Sequence, residues 1–376
     1  MNLPNEGAAP APGGGLPNFA RVVKAGGSPM KPITMAGIAK AAGVSQGAIS
    51  SLLNDRDYGI RVSEKTRERV FKVCRELGYV PNDLRAVVRM YPELGDVCLL
   101  LSTKIPGALS NCYVARIGGG LMATMSQRSL VTAFYEEGFD YATDGSDLPK
   151  PIQNGTASKY VCVGATNLSI CRTVQRRGHP LAVIGHETRL PGATSILPDY
   201  VAAARMAFGY LVKYGHKRVA ILSGPFGSPE PRLTELNRAL GLAAQELGLT
   251  MDSHNIFQGD LSFEAGLAAL DAFLAREPKV TAAFALSEAA ACGVLAGAHA
   301  KGIRVPEQLS VLAFADHERT PPSCVPLSTV AFPVEQMAVT AANELERQIR
   351  EGLPPDGERV ILGVKLCERS SVAPPK

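Results

Sequence analysis

The chain has 376 residues, of which 46% are hydrophobic and 20% charged, with a formal net charge of +4. That length accommodates two or three domains with ample apolar core, and the composition excludes a wholly disordered protein. Eight cysteines show no CxxC pair and no metal spacing with the six histidines, and no run of about 18 apolar residues occurs; a zinc module, a disulfide scaffold and a membrane span are excluded.

Residues 1–30 are rich in Gly, Pro and Ala, with Arg21 and Lys24 but no apolar stretch of signal-peptide length, and read as a disordered leader of a cytoplasmic protein. Residues 31–80 then show helical periodicity. Thr34 can cap a first helix whose Ile38, Ala39 and Ala42 share a face, and Gly43 supplies a turn. Ser45 can cap a second helix that buries Ala48, Ile49, Leu52 and Leu53 while Gln46, Gly47, Ser50 and Ser51 face outward near its N-terminus. That is the layout of a helix-turn-helix recognition helix. Ser63 caps a third helix with Val70, Val73 and Leu77 inward. From residue 31 to 90 there are eleven Lys and Arg against six Asp and Glu, whereas the rest of the chain after residue 90 holds 26 against 28, so the basic end is where phosphate would bind. Residues 82–90, NDLRAVVRM, have helix-forming composition but no apolar face wide enough for stability alone, and Pro92 ends them; residues 81–93 read as a hinge helix and linker.

The stretches AGVS, ISSLLN, VSEKTRERV and ELGYVPN make residues 33–82 resemble the N-terminal domain of the lactose-repressor and purine-repressor family of bacterial regulators. Gly37 stands where that family usually has an acidic residue, and the loop 55–61 is about three residues longer than usual. The resemblance implies a DNA-binding set of Thr34, Ser45, Gln46, Gly47, Ser50, Ser51, Asn54, Arg61, Asn82, Arg85 and Val88. In it the hinge folds only on operator DNA; Val88 takes the place of a leucine wedge in the minor groove, and Arg85 that of a small residue lying flat there. Gln46 offers an amide suited to adenine, Gly47 permits close backbone approach, and Ser51 replaces a commonly longer side chain.

Residues 94–371 alternate short apolar strands with amphipathic helices. Strands are expected at 97–102, 130–135, 160–164, 181–185, 218–223, 281–286, 309–313 and 359–366, and helices at 201–214, 235–247, 263–276, 289–301 and 334–351, which is βαβ grammar. The fold class is therefore an all-α helix-turn-helix DNA-binding domain followed by an α/β two-lobed, periplasmic-binding-protein-like domain of doubly wound parallel sheets, with a small-molecule effector between the lobes. The family resemblance extends to residue 371 through PDYVAAARMAFGYLVKYGHKRVAILSGP, KGIRVPEQLSVLAFAD and PLSTVAFPVEQMAVTAANEL. It assigns effector-binding to Arg232, Ser287, Glu288 and Asp316, but Ala315 stands where relatives carry a carboxylate, so simple neutral sugars are expected to bind poorly and an anionic or more apolar effector to contact Arg232.

No P-loop or HExxH is present, and the Gly118 to Gly120 run reads as helix packing rather than a dinucleotide fingerprint. His216 reads as structural. The expectation is a cytoplasmic, homodimeric repressor, not an enzyme, without metal or cofactor, that binds a pseudo-palindromic operator in double-stranded DNA under the control of a small molecule and contacts no membrane. Two alternatives remain: an effector-independent DNA-binding regulator, and a solute-binding module whose N-terminal helices contact protein.

Overall fold

The computed structural model describes residues 33–54, 62–79, 84–92, 95–103, 111–125, 129–136, 147–164, 167–224, 231–249, 253–275, 280–315 and 325–375, with Pro81, Ile105, Leu109 and Met251 between them. The leader at 1–30, the loop 55–61 and the candidate residues Arg61, Asn82 and Asp316 lie outside the described residues, as do the side chains of Asn54, Arg85, Arg232 and Ala315. The chain divides into two compact units, Met1–Pro81 and Asn82–Lys376.

In the first unit are α1 (Met35–Ala42), α2 (Gln46–Asn54) and α3 (Glu64–Glu76). Each starts where a hydroxyl satisfies an orphan amide. Thr34 Oγ1 accepts the Gly37 N–H at 3.2 Å, Ser45 Oγ the Ala48 N–H at 3.1 Å and Ser63 Oγ the Thr66 N–H at 3.3 Å. Gly43 ends α1 at φ +64, a left-handed conformation that a side chain would oppose. Ile38, Ala39, Ala42, Ala48, Ile49, Leu52, Leu53 and Val70 are buried as the periodicity requires. The inward face expected for α3 needs correction: Val73 is half-buried and Leu77 is 38% exposed, while Phe71 and Cys74 join Val70 in the core. Helical spacing fails at Leu77 because it follows the last helical residue and leads into Gly78 at φ +71.

The second unit opens with α4 (Leu84–Met90). Its first lobe is formed by β1 (Asp96–Ser102), α5 (Cys112–Thr124), β2 (Leu130–Tyr135), α6 (Lys150–Asn154), β3 (Ala157–Val163), α7 (Leu168–Arg176), β4 (Leu181–Ile184) and β5 (Ala193–Pro198). The chain then crosses to α8 (Tyr200–Lys213), β6 (Val219–Ser223), α9 (Pro231–Leu247), β7 (Ile256–Gln258), α10 (Phe263–Leu274), β8 (Ala282–Ala285), α11 (Glu288–Ala300), β9 (Ser310–Ala315) and β10 (Ser328–Ala331). It returns through α12 (Val334–Glu351) and β11 (Glu358–Leu362) and crosses once more into β12 (Lys365–Cys367). The sheets run β11-β5-β4-β3-β1-β2 and β12-β10-β9-β8-β6-β7, parallel throughout except for the antiparallel β10–β12 pair. The single strand expected at 359–366 is thus two strands in two sheets. Gly363 and Val364 separate halves whose apolar residues happen to keep one alternation.

Three strands escaped sequence reading. β7 is three residues long, and β5 and β10 carry Ser and Thr that are buried with polar partners: Gln348 Nε2 donates to Thr194 Oγ1 at 2.9 Å, and Ser328 Oγ accepts the Arg369 N–H at 2.9 Å. Helix packing explains one glycine of the run: a methyl on Gly120, in α5, would lie 2.7 Å from Ala338 Cβ on α12. Gly266 on α10 is tighter still, with a methyl there 2.0 Å from Ala290 O on α11.

A line of aromatic rings runs through the second lobe. Phe208 meets Phe284 at 5.6 Å, Phe284 meets Phe314 at 4.8 Å, Phe314 meets Phe332 at 5.1 Å and Phe332 meets Tyr200 at 5.9 Å, and all belong to one core cluster with first-lobe residues such as Leu99 and Ile184. His216 is buried with Nδ1 2.9 Å from Thr281 Oγ1, and burial holds its pKa below the ordinary histidine value. Burial likewise pushes the Cys98 thiol up to about 12, while Cys162 and Cys171 sit with sulfurs 3.8 Å apart as free thiols. No helix among the described residues is long and apolar enough to cross a membrane.

Candidate DNA-reading surface and effector cleft

On the first unit, the turn at Gly43 and the cap at Ser45 present the N-terminal end of α2. Thr34, Ser45 and Gln46 are exposed, and Gly47, Ser50 and Ser51 half-buried. No acidic side chain stands in the first turn of α2, so the positive end of its dipole is left for phosphate and base edges. Gln46 carries the longest exposed polar side chain among these candidates, with two donors and an acceptor. Lys65, Arg69, Lys72 and Arg75 on α3 are also exposed, and Lys72 faces Glu76 on its own helix at 4.0 Å.

The hinge is helical over Leu84–Met90, and Val88, the assigned wedge, is 4% exposed. Tertiary contact therefore supplies the stability that seven residues lack in water.

In the second unit, the carboxyl ends of β6 and β7 and the loop after β7 line a cavity of about 590 Å³ that includes Ser223, Gln258, Asp260, Leu261, Ser262 and Glu264. Ser287 does not project freely into it. It caps α11, accepting the Ala290 N–H at 3.1 Å, and donates to Leu261 O at 2.6 Å. Leu261 is held at φ +62, the only non-glycine residue with positive φ among the described residues, so the Ser287 hydroxyl fixes a strained corner of the cavity wall. Glu288 occupies the first turn of α11, half-buried, with Oε2 shielded from solvent. Asp260 Oδ1 accepts the Ser262 N–H at 3.0 Å, and the Ser262 hydroxyl and amide together hold its carboxyl below the ordinary range. Ser223 Oγ lies 2.9 Å from Gly224 O and 3.1 Å from Asn237 Oδ1.

The lobes are tied at the loop after β4. Tyr200 Oη donates to Gly185 O at 2.5 Å, and the Glu187 N–H donates to Glu235 Oε1 on α9 at 3.1 Å. Arg359 and Arg189 reach Glu187 at 3.4 and 3.6 Å. Burial raises the Glu235 pKa, and the nearby Glu187 carboxylate adds to it. Sequence reading missed Asp260, Leu261 and Glu235. The first two follow a strand too short to recognise, and Glu235 resembles any solvent-facing acid until β4 is placed beside α9.

Residues 34–82 match the family described as Bacterial regulatory proteins, lacI family, and residues 208–372 match a periplasmic binding protein-like domain. The chain belongs to the lacI family of bacterial regulatory proteins. Like its relatives in the family, it is a DNA-binding transcriptional regulator. It is 29% identical over 349 residues to the HTH-type transcriptional regulator CelR of Thermobifida fusca, covering 90% of this chain and 98% of the relative. It is 29% identical over 320 residues to the transcriptional repressor CytR of Escherichia coli K12, covering 80% and 85%. Among solved structures, a CelR–cellobiose complex aligns at TM-score 0.61 and 25% identity over 91% of this chain and 100% of that one. The lac repressor dimer bound to operator and an anti-inducer aligns at TM-score 0.62 and 21% identity over 91% and 100%, a likeness of fold.

Proposed function

We propose that the protein is a cytoplasmic, dimeric repressor without catalytic activity, that it reads a pseudo-palindromic operator through Gln46, and that a neutral polyol in the interlobe cleft sets its operator affinity. Base readout rests on one observation: Gln46 is exposed at the cap-fixed N-terminal end of α2. A dimer doubles the base pairs read and matches the two-fold symmetry of such sites. Thr34, Ser45 and Ser50 position the helix, and Asn54, Arg61, Asn82 and Arg85 add phosphate or groove contacts. Gln46→Ala is expected to cost about 1 to 3 kcal/mol on the operator and little on random DNA, measured by fluorescence anisotropy. Equal loss on both would reduce Gln46 to a backbone contact.

The effector class departs from the expectation built on Ala315. The cellobiose-bound relative and the ionised Asp260 at the wall of the second-lobe cavity support a polyol, because that carboxylate can accept hydroxyl protons that alanine cannot. Arg232, Glu288 and Asp316 complete the proposed polar set, with Ser287 shaping the wall. A thermal-shift panel of cellobiose, ribose and a sugar acid tests this, since ligand bound to the native state raises the melting temperature. A shift with the sugar acid alone would return the reading to an anionic ligand on Arg232.

A further inference from the structure

Of the two hydrogen bonds that tie the lobes at the loop after β4, the Tyr200–Gly185 bond joins an uncharged hydroxyl to a carbonyl. The other gives the Glu187 N–H to a carboxyl, Glu235 Oε1, at 3.1 Å. The first lobe presents that amide rigidly. The Thr188 N–H donates to Ser195 Oγ at 2.8 Å, Ser195 Oγ donates to Thr188 O at 3.2 Å, and the Gly185 N–H donates to Ile196 O at 2.9 Å, so both sides of Glu187 are stitched to β5. A methyl on Gly357 would lie 3.0 Å from the Arg189 backbone, which leaves the loop no room to retreat toward β11. Glu235 is half-buried on α9 and is faced by Glu187 from the loop, Arg359 from β11 and Arg238 from its own helix. Arg359 and Arg189 pair with Glu187. Two carboxyl groups thus share one junction. Burial, with the Glu187 carboxylate adding to it, favours the protonated form of Glu235 there, against the pull of the Glu187 N–H, Arg359 and Arg238. His186, buried beside Glu187, is the remaining titratable side chain of the loop.

We infer that the Glu235–Glu187 junction is a proton-sensitive latch between the lobes, which tightens when Glu235 takes up a proton and loosens when it ionises. Parting the lobes moves Glu235 into water and away from the Glu187 carboxylate, so closing them raises its affinity for a proton. By linkage, one proton taken up on closing shifts the closed-to-open ratio by up to about tenfold per unit of pH. The shift favours closure as pH falls from the raised pKa of the closed arrangement to the ordinary carboxylate range. A regulator whose operator affinity depends on lobe arrangement then responds to pH although residues 31–90 contain no histidine. That output rests on the effector-controlled reading of the protein; the latch itself does not.

Small-angle scattering of the full-length, DNA-free protein from about pH 8 to about pH 5 tests the latch. The radius of gyration is expected to fall on acidification in the wild type. It should stay at the smaller value throughout in Glu235→Gln, which keeps the acceptor and carries no charge, and fall only at lower pH in Glu187→Gln, which removes the neighbouring carboxylate. Far-UV dichroism at each pH confirms that the variants are folded. A radius that does not move in the wild type overturns the latch. The same titration in Glu235→Gln also overturns it, since the proton would then belong to His186 or another group. Operator affinity, read by fluorescence anisotropy at constant ionic strength on a selected operator, should change at least about threefold across the same window in the wild type and stay level in Glu235→Gln. A moving radius with level operator affinity keeps the latch and refutes its control of DNA binding.

Discussion

The DNA-reading unit and the cleft wall of the second lobe are built on opposite plans. In the first, every structural decision is made within four residues: Thr34 caps to Gly37, Ser45 to Ala48 and Ser63 to Thr66, and the buried positions recur at helical spacing. In the second, Ser287 anchors Leu261, 26 residues away, and Glu187 meets Glu235, 48 residues away. Locally encoded surfaces can be exchanged side chain by side chain, since their scaffold does not depend on the residues that read. A wall made of distant partners changes shape when one partner is removed.

The sharpest break of that comparison is deletion of residues 1–81. Operator binding should fall by at least about a hundredfold, toward the non-specific level, while the remaining unit keeps its melting transition and its ligand response. Operator binding retained by the fragment, measured by mobility shift, would place the reader elsewhere. Next in size is salt. With Lys and Arg on α1 and α3 neutralising phosphates, log affinity should fall with log salt by roughly 0.9 per phosphate contacted; titration between low and physiological ionic strength gives the slope, and a flat line contradicts the basic surface.

On the wall side, Ser287→Ala removes the α11 cap and the anchor of a strained residue, and should lower stability by about 1 kcal/mol, with a larger fractional loss of effector affinity than of stability. Denaturant titration with and without ligand separates the two effects; a pure stability loss would mean that Leu261 does not shape the cleft. The smallest effect concerns Glu235. Its folded pKa is raised, so the folded protein binds the extra proton between the unfolded value and the raised one. Stability therefore increases as pH falls through the raised pKa, and ionisation above it is unfavourable. Glu235→Gln keeps an oxygen acceptor for the Glu187 N–H, and should stabilise the protein slightly at neutral pH with the gain shrinking as the medium is acidified. A gain that grows in acid would reverse the assigned sign.

Much of this architecture was legible in the residues. Caps, the turn glycine and the buried faces of α1 and α2 follow from backbone amides that need acceptors and from a 3.6-residue period, both local requirements. The alternation of strands and helices was legible for the same reason, as was the basic N-terminal region. Only the tertiary structure showed that Leu77 leaves the core, that β11 and β12 belong to different sheets, and that β5 and β10 bury hydroxyls because Gln348 and Arg369 arrive to pair with them. Periodicity records what a segment can bury; what it is buried against is fixed by residues far away in sequence.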